Sequence, residues 1–293
     1  MDNILFFTYP LNGLLMIALP IVLGIYLTHR FEMSWRLWWI GGATFVISQV
    51  GHIPFNRLLT YLFQEGILPA PAENWKLAFN TILLGLSAGV WEETSRYAVY
   101  RWWAKDARTW CKGVLMGAGH GGIEAILLAA LVFYAFIQMV VLREMDLSTV
   151  VPAEQLDLLS QQVSAYWSTP WYASLLGALE RSFAIPTHIA LSVIVLQVFI
   201  RGKLRWLLLA IGWHAFANAI ALYILAIWGA YASEAALAVV ALIDLWIIFA
   251  LRTTEPPSLQ ITPSHPPDSA PRQEVRISEM EETPENLERT RYN

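Results

Sequence analysis

The sequence predicts an all-α fold, a polytopic membrane helix bundle of about seven transmembrane helices, and three observations carry that prediction. Hydrophobic residues make up 56% of the chain and charged residues only 14%, whereas a soluble domain carries about a quarter. The apolar residues come in long runs separated by short charged clusters. The basic residues then concentrate in alternate loops, as the orientation rule for membrane proteins requires.

In order, the predicted spans cover residues 4–28, 35–50, 77–100, 113–141, 171–200, 207–228 and 232–251. Each is read as long enough to cross a hydrocarbon core about 30 Å thick. The second is the shortest, and Pro54 is expected to end or kink it, because proline removes a backbone donor and crowds the preceding turn. The first run does not read as a signal peptide: Asp2 stands where a basic residue is expected, and no small-residue cleavage site follows.

Loop charge sets the orientation. Arg30 and Arg36 follow the first span, Arg101, Lys105, Arg108 and Lys112 the third, and Arg201, Lys203 and Arg205 the fifth. The alternate loops are poorer in Lys and Arg, which predicts the N-terminus outside and the C-terminus cytoplasmic. Residues 1–251 are thus expected to form the transmembrane domain, multi-pass in the cell membrane. Residues 252–293, rich in Pro, Glu, Ser and Thr, are expected to form a disordered cytoplasmic tail, since they have too little apolar surface to offset chain entropy. The loop 143–170 has room for a short surface helix. No basic patch suggests a nucleic-acid partner, and a single cysteine, Cys111, forbids an intrachain disulfide.

Ionisable residues inside a membrane span are costly and mark function by default. Here the third span holds Glu92, Glu93 and Arg96, and the fourth His120 and Glu124. The fifth holds Glu180, Arg181 and His188, the sixth His214 and Asn218, and the seventh Asp244. Counting a rise of 1.5 Å per residue from the nearest cytoplasmic basic residue, Glu92, Glu93, His120, His188 and His214 lie about 12–20 Å deep. Residues from four helices thus converge on one level in the cytoplasmic half, and whatever acts at this buried polar site is expected to reach it from that leaflet. Glu92 and Arg96, His120 and Glu124, and His214 and Asn218 are each four residues apart and share a helix face. Glu180 and Arg181 compute to about 30 Å from Arg201, near the outer interface. Arg181, seven residues before His188, shares its face better than Glu180 does. Asp244 is expected to balance a buried cation. Gly117, Gly119, Gly121 and Gly122 are expected to allow close packing around His120. His29, His52 and His265 read as loop, interface or tail residues.

Taken in order, Glu92-Glu93 with Arg96, His120 with Glu124, Glu180-Arg181 with His188, and His214 with Asn218 resemble the YhfC family of intramembrane proteases. That family is grouped with the CAAX protease and bacteriocin-processing superfamily. The spacing departs from the wider superfamily, with Arg96 one residue early and Phe183 five residues before His188. The resemblance implies an intramembrane endopeptidase acting on a membrane protein or peptide within the lipid. It implies Glu92 or Glu93 as the base that activates water, with His188 helping to hold that water. It also places His214 and Asn218 against the oxyanion, with Arg96, His120, Glu124, Glu180 and Arg181 supporting.

Two versions of the chemistry fit these residue types. A metal-free glutamate mechanism, requiring no cofactor, is favoured by the absence of a His-Glu-x-x-His motif. In the other, His120, His188 and His214 with a carboxylate bind zinc. Outside the protease class, the same residues would suit a non-catalytic membrane scaffold or immunity protein. Buried Glu, His and Arg also mark a proton-coupled carrier, although no inverted repeat is evident.

Overall fold

A chain with almost no water around its middle must satisfy its backbone internally, and continuous helices do so. The computed structural model describes residues 4–253, and its regular elements are all helical. The predicted tail lies outside these residues. Eight α-helices follow in order: α1 (Leu5–Phe31), α2 (Arg36–Gln64), α3 (Lys76–Ala98), α4 (Trp110–Glu144), α5 (Ala153–Trp167), α6 (Leu176–Arg201), α7 (Arg205–Trp228) and α8 (Ala230–Ala250). Five are both long and apolar enough to cross a membrane: α1, α4, the segment 173–201 that contains α6, α7 and α8. With 29 and 23 residues, α2 and α3 span about 43 and 34 Å, and they carry much of the polar inventory.

The helix does not end at Pro54. α2 runs through it to Gln64, so the second span is longer than the sequence suggested and His52 sits in mid-helix. A proline removes a single donor, and neighbouring polar groups can re-satisfy the freed carbonyl inside a bundle. The helix expected between residues 143 and 170 is α5, which buries none of its residues in the bundle. It docks through Tyr166, which stacks on Tyr9 of α1 at 4.1 Å between ring centroids.

The basic loops gather at one end of the bundle. Arg36 pairs with Asp106 at 2.8 Å, Arg108 lies over Phe199, and Arg252 lies over Trp110. Within the bundle α4 is central, packing on α1, α2 and α6, while α3 packs chiefly on α7. Glycine permits the closest of these approaches. A Cβ at Gly41 would fall 2.0 Å from the carbonyl oxygen of Met116, and one at Gly119 would fall 1.9 Å from that of Trp38. The backbones of α2 and α4 therefore touch, and this contact sets the position of His120, the residue after Gly119.

Candidate active site

Five helices deliver side chains to one buried cluster. α3 supplies Glu92, Glu93 and Arg96, which are 6%, 0% and 1% exposed. α4 supplies His120 and Glu124, α6 Arg181 and His188, and α7 His214; α2 approaches with Gln49. His120, His188 and His214 are all buried. The ring centroids of His120 and His188 are 4.9 Å apart, and those of His188 and His214 are 5.6 Å apart.

The two adjacent glutamates have different surroundings. Arg96 Nη1 donates to both carboxylate oxygens of Glu93, at 2.6 and 2.5 Å, and Nδ1 of His214 lies 2.9 Å from Oε1 of Glu93. Glu93 is thus saturated by a cation and an imidazole. Glu92 is met by Gln49 Nε2 at 3.3 Å and by His120 Nε2 at 3.0 Å, with His214 Nε2 4.0 Å away. Although Arg96 shares a face with Glu92 at i,i+4, its ion pair is with Glu93 at i,i+3.

The third carboxylate, Glu124, lies 2.5 Å from His188 Nε2 and accepts from Arg181 Nη1 at 2.8 Å. Arg181 also donates to Glu180. The Glu180 side chain is 42% exposed while that of Arg181 is 7%, so Arg181 reaches inward and Glu180 stays at the rim. The length of an arginine side chain bridges the depth that separates their backbone from the cluster. On the other side of His188, Arg96 Nη2 approaches Nδ1 at 3.4 Å. A guanidinium has donors only, so that ring nitrogen is the acceptor.

Of the three carboxylates in the cluster, Glu93 and Glu124 are matched by arginine and Glu92 is not. A buried charge without a partner is expensive, so Glu92 calls for a cation or a proton. Glu92, His120 and His188 each offer a ligand atom, and these atoms lie within 4.8 Å of one another. His120 Nδ1 is buried with no hydrogen-bond partner. Carboxylate and imidazole donors suit a divalent metal of the zinc type, and Glu124 at Nε2 of His188 supplies the outer hydrogen bond that metal-binding histidines usually have. Nδ1, which Arg96 approaches at 3.4 Å, is then the nitrogen that would turn to the metal. These residues fit a metal. Of the three histidines expected from sequence, His120 and His188 belong to this group, while His214 has Nδ1 on Glu93 and Nε2 4.0 Å from Glu92.

Asn218 is half-buried one turn beyond His214. Asp244 is fully buried, but neutral donors rather than a cation take its oxygens. Thr187 Oγ1 donates to Oδ2 at 2.5 Å and Trp213 Nε1 donates to Oδ1 at 2.7 Å. Each donor directly precedes a site histidine. The sequence reading also passed over His52, whose ring meets Ser87 Oγ at 3.1 Å, Gln49 Oε1 at 3.2 Å and Asn56 Nδ2 at 2.9 Å. Its signal was present in the spacing of Gln49, His52 and Asn56, and was hidden by ending the span at residue 50.

Comparison with known proteins agrees with this picture. The sequence profile described as YhfC intramembrane metalloprotease matches residues 15–243. The chain is 32% identical over 219 residues to the "Uncharacterized membrane protein YhfC" of Bacillus subtilis (strain 168), covering 71% of this chain and 80% of that one. No solved structure matches. With a buried Glu and His cluster inside a bundle of apolar helices, and a match that runs from α1 into α8, this chain belongs to the YhfC intramembrane metalloprotease family.

Proposed function

We propose that the protein is a metal-dependent intramembrane endopeptidase whose metal ligands are Glu92, His120 and His188. The observation that carries this reading is Glu92, a buried carboxylate without an arginine, facing two imidazoles of which one has an unpartnered ring nitrogen. The family description supports the metal over the metal-free version that the missing His-Glu-x-x-His motif had favoured. It also supports a peptidase over a scaffold or carrier.

When bound, a zinc-type ion would supply Lewis acidity, polarising a peptide carbonyl and acidifying water at neutral pH. The chain's own residues do the rest. Glu93, clamped by Arg96, fixes Nδ1 of His214 and so aims Nε2 at the centre, 4.0 Å from Glu92 Oε2. His214 Nε2 takes the proton of the attacking water and returns it to the departing amine. Asn218, on the same face of α7, supplies an amide donor to the oxyanion. Arg181 and Glu124 hold His188, and the surrounding apolar helices keep bulk water out.

Metal analysis of the purified chain with a chelator series tests the reading. Wild-type protein should retain a single tightly held zinc, His120→Ala and His188→Ala should lose it, and His214→Ala should keep it while losing cleavage of membrane proteins in cells. Metal-free protein that still cleaves in chelator would return Glu92 to the role of base.

A further inference from the structure

The polar residues of α2 do not stop at the cluster. Gln49, His52, Asn56, Thr60 and Gln64 fall within about a third of the helix circumference at 100° per residue. They lead from Glu92, which Gln49 touches, to the end of α2 opposite the basic loops. Two grooves run along this stripe, of about 550 and 430 Å³. They share Asn56, Thr60 and Gln64, and α3 closes the larger one with Asn80 among others. Each falls within the range of binding pockets, about 300–1,000 Å³. Across the helix from the stripe, Leu58 is exposed, as a lipid-facing residue would be.

Gln49 and Asn56 both bond His52, and Thr60 Oγ1 donates to the Asn56 carbonyl. These amide, imidazole and hydroxyl groups have further hydrogen-bonding capacity that a polar occupant of the grooves can use. A polypeptide about to be cleaved needs the complementary service. Its helix must open before a peptide bond is accessible, and each freed N–H and C=O then requires a partner. Amide and hydroxyl side chains can both donate and accept, so they can match a backbone without reading its sequence. From Gln49 to Gln64 the stripe is about 22 Å long, enough for roughly seven residues of extended chain.

We propose that the α2–α3 groove is the substrate cleft, which holds an unwound segment of a membrane protein by its backbone and leads the scissile bond to Glu92. The inference rests on the endopeptidase reading. It places the entrance at the end of the bundle with the α2–α3 loop, not at the end with the basic loops.

The test uses full-length protein in lipid nanodiscs and synthetic lysine-flanked membrane peptides of about 25 residues with a central Gly-Ser-Gly break. A photo-cross-linking amino acid is placed at Thr60 or, as a control, at Leu58, in wild-type and Glu92→Gln backgrounds. Cross-linking to the peptide at position 60, well above position 58 and retained in Glu92→Gln, is expected. Asn56→Leu and Thr60→Val should each raise the KM for peptide cleavage about fivefold, the effect of one hydrogen bond, with kcat little changed. Equal cross-linking at positions 58 and 60, or lipid adducts alone at 60, overturns the cleft whether or not the peptide is cut. Cross-linking at 60 with no cleavage by wild-type protein would keep the cleft and overturn the endopeptidase.

Discussion

The carboxylate of Glu93 lies 2.9 Å from Nδ1 of His214, and neither group is reached by solvent. That contact separates two adjacent glutamates that the sequence could not tell apart. In the function proposed above, Glu93 orients this imidazole and Glu92 faces the centre that the imidazole serves.

Glu93→Gln should therefore reduce turnover through His214 without removing the metal. An amide at this position can donate to Nδ1 and so put the proton on the wrong ring nitrogen, a loss of about 10²–10⁴-fold if His214 is the general base. Glu92→Gln should abolish both activity and metal retention. Turnover and metal content of the two purified variants decide the matter, and equal loss of metal in both would contradict the division of roles.

Asp244 should act as a positioning residue for both His188 and His214. Replacing it with Ala removes the acceptor of the buried Thr187 Oγ1 and of the half-buried Trp213 Nε1, which costs about 1–3 kcal/mol, and frees α6 and α7 to shift against each other. The expected result is a lower melting temperature and a displaced pH–rate profile, with Asp244→Asn restoring much of the stability. A profile identical to wild type at reduced Tm would reduce Asp244 to packing alone.

Gly119→Ala should separate α2 from α4, since its Cβ would meet the Trp38 carbonyl at 1.9 Å and backbone cannot give way as a side chain can. The loss should equal or exceed that of ordinary overpacking, about 1–3 kcal/mol. Gly212→Ala is the control, because nothing lies within 4 Å of its would-be Cβ. Thermal unfolding in detergent should show the first variant destabilised and the second unchanged or slightly stabilised.

Two of the arginine–carboxylate pairs, Arg36–Asp106 at the surface and Arg96–Glu93 in the interior, should differ in their response to conditions. The Arg36 hydrogen bond holds the Asp106 carboxyl below its usual range. A depressed folded-state value means that the pair stabilises above the unfolded pKa and that this is lost as pH falls through the folded one. Both side chains are 53% exposed, so the effect is small and screened by salt. Arg36→Ala should lower Tm slightly at pH 7 in low salt, by an amount that shrinks progressively as the pH falls through the acid range. Arg96→Ala strands Glu93 in the interior and should cost about 3–5 kcal/mol, with little dependence on salt.

Much was legible in the chain without coordinates. Long apolar runs determined the helices, because only continuous helices satisfy a backbone in lipid. The rarity of charge within those runs singled out Glu92, Glu93, His120, His188 and His214, because each is too costly to place there idly. Spacing also put Arg181 rather than Glu180 on the face of His188. Periodicity did not reveal the pairings, since it reports which face a residue occupies and not what stands opposite. Arg96 could have served either glutamate, and the packing of α3 on α7 gave it Glu93. Asp244 could have met a cation, and the packing of α6, α7 and α8 gave it Thr187 and Trp213. His52 and Asn56 joined the polar network beside Gln49 because α2 continues past residue 50 and through Pro54, where local sequence rules predicted an end or a kink. Residue types and their depth were written along the chain; partners were decided by helix contacts as close as Gly119 against Trp38, which exist only once the bundle has formed.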